Sequence, residues 1–532
     1  MKLAGALLGC LFAAAAAGVA PSRPNIIVVL SDDVGLSRIG CYGGAPFQTP
    51  HLDRLAATGL RFERCYSMPL CGPSRAALLT GLYPFRTGAV DNNTAVLDPA
   101  RHRTLPAVMR AAGYATCTLG KLGQIAGEGE AGAPARLAFD ESMLWMGRGT
   151  PDRYWHPRYI RNGAVAQGRP DQYGPDLTHD FLVDFLQRHR DRPCFVYYSA
   201  VLTHFPFTRT PDSRDDKHPV EDMVAYLDKQ MGRLVADLER LGLRENTLLL
   251  FTSDNGPQGN PLGTIRGAPL VGGKGEVTEG GVREPLIINC PARVPGGRVC
   301  RDLTDFTDIF PTVLELAGIT PPPDLRLDGR SIAPQILGRP GQPREWVYAQ
   351  VGKKYFIADQ RYKLYGDGRF VDIGDSPVAE KPVATDDAAG AAAQQRLRTA
   401  LTQLRGQAVA DSPAPAQAGH TPLRADAAPD LAADVQVLVE HKLIVEAAAG
   451  YWRTNAVASA QLEGARVAEL MLAIARHFKP AATGSEALAV LQQEGILNSQ
   501  SYWKQHAREG EQCGGANVAR LLNKTAQRIK TP

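Results

Sequence analysis

The sequence predicts an α/β fold. It comprises a large, mixed but mostly parallel sheet sandwiched by helices, a small C-terminal antiparallel sheet and an extra duplicated α-helical tail. Three observations carry this expectation. Asn25-Ile26-Ile27-Val28-Val29-Leu30, Cys194-Phe195-Val196-Tyr197-Tyr198-Ser199 and Thr247-Leu248-Leu249-Leu250-Phe251-Thr252 are apolar on both faces, the pattern of strands buried in a parallel sheet. Helical patterns over Leu52 to Leu60, Ala76 to Gly81, Leu105 to Ala112 and Asp222 to Leu241 fall between them, and such alternation implies layers. From Arg344 to Val371 the texture changes to short aromatic pieces, with Gly366-Asp367-Gly368 as a turn, which reads as antiparallel strands.

Taken in order, the chain starts with Met1-Lys2 and an apolar, alanine-rich run from Leu3 to Ala20, followed by Pro21-Ser22-Arg23-Pro24. One positive charge, a short apolar stretch and small residues at its end have the form of a signal peptide over residues 1–20. No later segment is long and apolar enough to span a bilayer. The mature protein is therefore expected to be exported, periplasmic or secreted, without stable membrane insertion. The main α/β domain is expected over 22–343 and the antiparallel subdomain over 344–406. A helix carrying Leu397, Ala400, Leu401 and Leu404 on one face closes the subdomain. Residues 407–430, rich in Ala, Pro, Asp and Gly, read as a linker.

The tail, 431–532, contains a repeat. Tyr451-Trp452 recurs as Tyr502-Trp503, and Gly464-Ala465-Arg466-Val467-Ala468-Glu469-Leu470 recurs as Gly515-Ala516-Asn517-Val518-Ala519-Arg520-Leu521, both at a spacing of 51 residues. Val467, Leu470, Met471 and Ile474 fall at helical spacing, as do Val518, Leu521, Leu522 and Thr525. Each copy reads as a helix, a Tyr-Trp hinge and a second helix, packed on its counterpart.

Composition excludes several classes. Of 532 residues, 44% are hydrophobic and 21% charged, which excludes a wholly disordered chain and a polytopic membrane protein. A net charge of +4, from 59 basic and 55 acidic residues, is too balanced for a nucleic-acid binder. Nine cysteines are too few for a disulfide-built scaffold. Cys290 and Cys300 flank a Pro/Gly loop and are the closest candidate pair for a bridge in an oxidising compartment.

The sharpest chemical signal is Cys71-Gly72-Pro73-Ser74-Arg75, followed by Ala76-Ala77-Leu78-Leu79-Thr80-Gly81. It resembles the signature of the formylglycine-dependent, arylsulfatase-like sulfatases, Cys-x-Pro-Ser-Arg and a short helix ending in Thr-Gly. The resemblance extends from Arg23 to Gly406. It includes Asp32-Asp33 after the first strand, Thr49-Pro50-His51-Leu52-Asp53-Arg54-Leu55-Ala56, Ser253-Asp254-Asn255-Gly256, and Gly273-Lys274-Gly275 with Glu279-Gly280-Gly281-Val282-Arg283. Thr307-Asp308-Ile309-Phe310-Pro311-Thr312 and Arg369-Phe370-Val371-Asp372 also resemble family segments.

The resemblance implies that Cys71 is oxidised by a formylglycine-generating enzyme to 3-oxoalanine (formylglycine). Its hydrate carries two hydroxyls on one carbon. One can attack sulfur; the other can expel the sulfate as the hydrate collapses. A serine could perform only the first half. The resemblance also implies that Asp32, Asp33, Asp254 and Asn255, with residue 71, bind one Ca²⁺. Oxygen donors suit such a hard cation. A lone Asp-Asp or Asp-Asn pair is more often a turn or a cap, but both pairs follow buried strands, which would bring them to one sheet edge. Arg75, Lys121, His204 and Lys274 carry over as the sulfate-binding set, a positively charged pocket for an anionic ester.

One departure matters. Where the family often reads Gly-Lys-Trp-His, this chain reads Gly120-Lys121-Leu122-Gly123-Gln124. The histidine that would assist the formylglycine hydroxyl is absent, and glutamine takes no proton at neutral pH. The reading is a calcium-dependent sulfatase acting on sulfate esters, including sulfated glycans. A phosphonate or phosphodiester hydrolase of the same superfamily, and a non-catalytic glycan- or partner-binding protein on this scaffold, are the alternatives.

Overall fold

The computed structural model describes residues 23–126, 132–145, 153–259, 262–270, 272–374, 379–384 and 386–411. In the tail it describes two short strands and scattered helical positions between 467 and 525. The expected signal peptide, residues 1–20, lies outside the described residues. So do the Tyr451-Trp452 and Tyr502-Trp503 pairs and residues 412–430 of the expected linker. The chain divides into two compact units, 1–414 and 415–532.

The main unit is built on an eleven-stranded sheet. Five neighbouring strands at its centre are all parallel, in the order Thr247–Ser253, Asn25–Ser31, Cys194–Ser199, Ala115–Gly120 and Glu141–Trp145. Every residue of Asn25–Ser31 and of Thr247–Ser253 is buried. The reason lies in the two packed faces. Ile26, Val28, Leu30, Phe195, Tyr197, Leu248 and Leu250 face one core with Ala76 to Leu79 of the Cys71–Thr80 helix. Ile27, Val29, Val196, Tyr198, Leu249 and Phe251 face the other. There they pack on Phe181, Leu182 and Phe185 of helix Gly174–Arg188 and on Met223, Leu227 and Met231 of helix Pro219–Arg240. Successive strand residues alternate between faces, so a strand covered on both sides is apolar throughout.

The sheet is mixed at its flanks. Arg283–Asn289 runs antiparallel to both Thr247–Ser253 and Leu60–Tyr66. At the other edge Arg158–Arg161 and Ala164–Gln167 form a hairpin through Asn162-Gly163, whose φ angles are 48° and 86°. An Asn-Gly pair tolerates the two positive φ values such a tight turn needs.

The C-terminal part of this unit is a five-stranded antiparallel sheet. Val347–Val351, Lys354–Ala358, Tyr362–Tyr365 and Phe370–Asp372 succeed one another, and Lys381–Pro382 completes it. Helix Ala388–Asp411 packs Ala393 and Leu397 on Ile357, Tyr362 and Leu364. It continues five residues into the segment read as linker. Cys290 and Cys300 do not form the bridge suggested by their spacing; both thiols are free, and Cys290 Sγ lies 3.4 Å from the Glu245 carbonyl.

In the tail unit, Gln461–Glu463 and Gln512–Gly514 pair as antiparallel strands, an element the helical reading omitted. Val467, Leu470, Met471 and Ile474 are buried helical positions, as are Leu521 and Thr525.

Candidate active site

Because the central strands are parallel, their carboxyl ends share one edge. Ser31 pairs with Ser253, Leu30 with Ser199, and Gly120 with Ser199. The next residues, Asp32-Asp33, Asp254-Asn255 and Lys121, therefore emerge together, and His204 follows five residues after Ser199. Ligands in open α/β sheets bind at this edge. Gly120 makes the exit possible. Its φ is +81°, and a Cβ there would lie 1.9 Å from the Ser199 carbonyl.

The Cys71–Thr80 helix points its N-terminus at the same edge, and all ten of its residues are buried. Cys71 Sγ lies 3.5 Å from Asp32 Oδ1, 3.8 Å from Asp33 Oδ1 and 3.3 Å from Lys121 Nζ. Ligand atoms of Asp32, Asp33, Cys71 and His204 all lie within 4.8 Å of one another. Asp254 is turned towards Arg75, which donates to its Oδ2 from Nε at 3.1 Å and from a terminal nitrogen at 2.5 Å. Arg75 also donates to the Lys121 carbonyl and to Ser199 Oγ. Asn255 Nδ2 donates to Asp33 Oδ1 at 2.8 Å and to the Gly256 carbonyl at 2.9 Å. Its Oδ1 is buried with no hydrogen-bond partner. Lys121 Nζ donates to both Asp32 oxygens at 2.9 and 2.8 Å, and Lys274 Nζ to Asp33 Oδ2 at 2.7 Å.

The electrostatics follow from burial and these pairings. Burial alone would raise the Asp32 carboxyl; Lys121, His204, Arg75 and Lys274 together hold it well below the ordinary carboxylate range. Asp254 moves the other way, raised first by burial and then by the neighbouring Asp32 charge. Burial, reinforced by Asp254, pushes the Cys71 thiol well up. Unmodified Cys71 is thus a protonated thiol and a poor nucleophile at neutral pH. Burial lowers His204 to about 4, so its ring is neutral at pH 7.

All the expected residues come to one place. What the motifs did not show is the set that braces them. Ser199 receives Arg75. Gln258 Oε1 lies 3.3 Å from Lys274 Nζ. Tyr154 Oη donates to the carbonyls of Val201 and His204. Arg153 reaches His204 Nδ1 at 2.9 Å. Gln124, beside the position of the absent histidine, has its Oε1 buried without a partner.

A family model described as Sulfatase matches residues 24–319. The chain belongs to the sulfatase family. This sulfatase is 35% identical over 361 residues to N-acetylgalactosamine-6-sulfatase of Canis lupus familiaris, a match covering 60% of this chain and 67% of that one. It is 34% identical over 381 residues to arylsulfatase A of Homo sapiens, covering 64% and 73%. Among solved structures it resembles Ps i-CgsB with a TM-score of 0.62 and 26% identity, over 71% of this chain and 92% of that one. Ps i-CgsB is also solved in complex with k-i-k-neocarrahexaose. The sulfatase is accordingly a sulfuric ester hydrolase, acting on sulfated substrates.

Proposed function

We propose that the chain hydrolyses sulfate monoesters at residue 71, oxidised after translation from cysteine to formylglycine by a formylglycine-generating enzyme. One calcium ion would be held by Asp32, Asp33, Asp254 and Asn255 with residue 71. The observation that carries the reading is the cluster of Cys71 Sγ with Asp32, Asp33 and Lys121, beside the unpartnered Asn255 Oδ1. A buried amide oxygen without a partner is costly, and a hard cation would satisfy it along with the crowded carboxylates. The donor set therefore fits calcium.

When bound, the ion supplies positive charge against the sulfate oxygens. Formylglycine, as its hydrate, supplies one hydroxyl for attack at sulfur and a second for release. The remaining work belongs to the chain. Arg75, fixed by Asp254 and Ser199, orients the residue-71 helix against the sheet edge. Lys121 stands on Asp32 and Lys274 on Asp33, so two ammonium groups are available to an incoming sulfate. His204 is the least buried of the set, its side chain 20% exposed, and suits the ester oxygen at the mouth. Burial of the rest excludes water, which strengthens each of these interactions.

Sulfated glycans fit the surroundings. Phe205 is 58% exposed beside His204. A cleft of about 600 Å³ is lined by Trp155, Phe207, Arg209 and Asp216, and Phe207 lies against Gly259, next to the Gln258 that contacts Lys274. Aromatic faces with charged rims suit sugar rings, and the relative named for a 6-sulfated amino sugar agrees. Export is supported by the N-terminal apolar run, and no described helix is long and apolar enough to cross a membrane.

The deciding measurement is the mass of the tryptic peptide containing residue 71, from protein made in a host able to modify it, together with bound-calcium analysis. Unmodified cysteine in active protein would overturn the formylglycine reading. Paired sulfate, phosphate and phosphonate esters separate a sulfatase from a phosphonate or phosphodiester hydrolase. Binding without turnover of any of them would favour the non-catalytic alternative, which the absent histidine motivates.

A further inference from the structure

Arg153 lies outside every motif of the family segment, yet it is built into the site. It is 9% exposed. Its guanidinium lies over the Trp145 ring, 3.9 Å from the centroid. One terminal nitrogen is 2.9 Å from His204 Nδ1, and its Nε has no hydrogen-bond partner. Among the described residues, no carboxylate forms an ion pair with it.

A guanidinium has donors only. The contact at 2.9 Å therefore requires a lone pair on His204 Nδ1, which leaves the ring's N–H on Nε2. The carbonyl of Phe205, 2.6 Å from the same Nδ1, makes the opposite demand, because it can only accept. One nitrogen thus has two partners that call for different tautomers. The charged donor has the stronger claim, since charge-assisted hydrogen bonds are roughly twice as strong as neutral ones. Stacking on Trp145 also pre-orients it. With Nδ1 occupied, Nε2 is the ring atom facing the acidic cluster, 3.7 Å from Asp33 Oδ2.

We propose that Arg153 is a positioning residue that holds His204 in the Nε2–H tautomer, so that Nε2 donates a hydrogen bond to the ester oxygen of the bound substrate. The tautomer rests on the Arg153 contact outcompeting the Phe205 carbonyl for Nδ1; the role towards substrate rests on the sulfate-ester reading above. Removing Arg153 hands Nδ1 to the Phe205 carbonyl, moves the proton to Nδ1 and leaves a lone pair facing the departing oxygen.

The test uses full-length holoenzyme labelled with ¹⁵N-histidine, with the His204 signals assigned by their loss in His204→Asn. Wild type is expected to show Nε2 protonated and Nδ1 bare. Arg153→Met keeps an unbranched stem over Trp145 and removes the donors; it is expected to reverse the tautomer, and Arg153→Lys to restore it. Across aryl sulfates of rising leaving-group pKa, Arg153→Met is expected to lose about tenfold in kcat/KM on the poorest leaving groups, the worth of one hydrogen bond, and little on the best. Wild type with the proton on Nδ1 overturns the proposal even if no variant folds. So does Arg153→Met with the wild-type tautomer and an even loss across the series. A reversed tautomer in a protein that turns over no sulfate ester would keep the positioning role and sink the reaction instead.

Discussion

Cys71 is held as a thiol by burial and by the Asp254 charge, so the unmodified side chain has little nucleophilic character of its own. Cys71→Ala should abolish turnover while leaving the fold largely intact, with calcium bound more weakly through the four remaining ligands. Cys71→Ser should be nearly as poor in steady state, because serine lacks the second hydroxyl needed for release; a wild-type-like steady-state rate from it would count against the hydrate. Asp254 has a second task besides metal binding. It is the partner of the fully buried Arg75, and removing one member of a buried pair costs about 3–5 kcal/mol. Asp254→Ala should therefore lose calcium, activity and several degrees of thermal stability together. Asn255→Ala should lose less, since it removes a neutral ligand and strands no charge. Calcium titration and thermal unfolding of the two variants check this; activity that survives exhaustive chelation would refute the metal assignment. These residues were legible in the sequence because each sits in a short motif at a strand end or helix start. Arg153, Ser199 and Tyr154 were not. Their partners lie 47 to 124 residues away, and no local spacing announces such distant contacts.

Among the elements, the legible ones were those whose burial leaves a periodic mark. The parallel strands are apolar on both faces because both are covered, and helix Pro219–Arg240 buries one face along six turns. Leu60–Tyr66 was missed because its alternation is broken by Glu63 and Arg64, which are only partly buried. The hairpin over 158–167 carried an Asn-Gly turn signal that could have located it. Gly120 shows what an element end can demand. A Cβ there would drive the Ala115–Gly120 and Cys194–Ser199 strands apart, since it would meet the Ser199 carbonyl at 1.9 Å, and the positive φ is itself unfavourable for alanine. Gly120→Ala should cost at least about 2 kcal/mol in urea unfolding. It should also lower activity by displacing the next residue, Lys121. Unchanged stability would mean that the strand ends give way more easily than their pairing suggests.

At the scale of the molecule, all the proposed catalytic groups come from the unit ending at Ala414. Protein truncated after Asp411, at the end of the helix that packs on the small sheet, should fold, carry modified residue 71 and hydrolyse a small aryl sulfate at the full-length rate. Loss of that rate in a folded, modified truncate would assign the tail to the active site. The tail's own strand pair has a further consequence. Gln461 meets Gly514, Leu462 meets Cys513 and Glu463 meets Gln512, while the 51-residue repeat equates Gln461 with Gln512 and Leu462 with Cys513. Each copy therefore pairs with its own counterpart, reversed about a local two-fold axis that passes between Leu462 and Cys513. This is the symmetry of an isologous homodimer, with both halves carried on one polypeptide. A protein that keeps only the first copy, ending at Ala482, retains a self-complementary edge. It should be less stable when dilute and should dimerise as concentration rises, restoring between two molecules the junction that the intact tail makes within one. Light scattering and concentration-dependent unfolding would detect this, and a half-tail protein that stayed monomeric and equally stable at every concentration would show that the copies do not depend on each other.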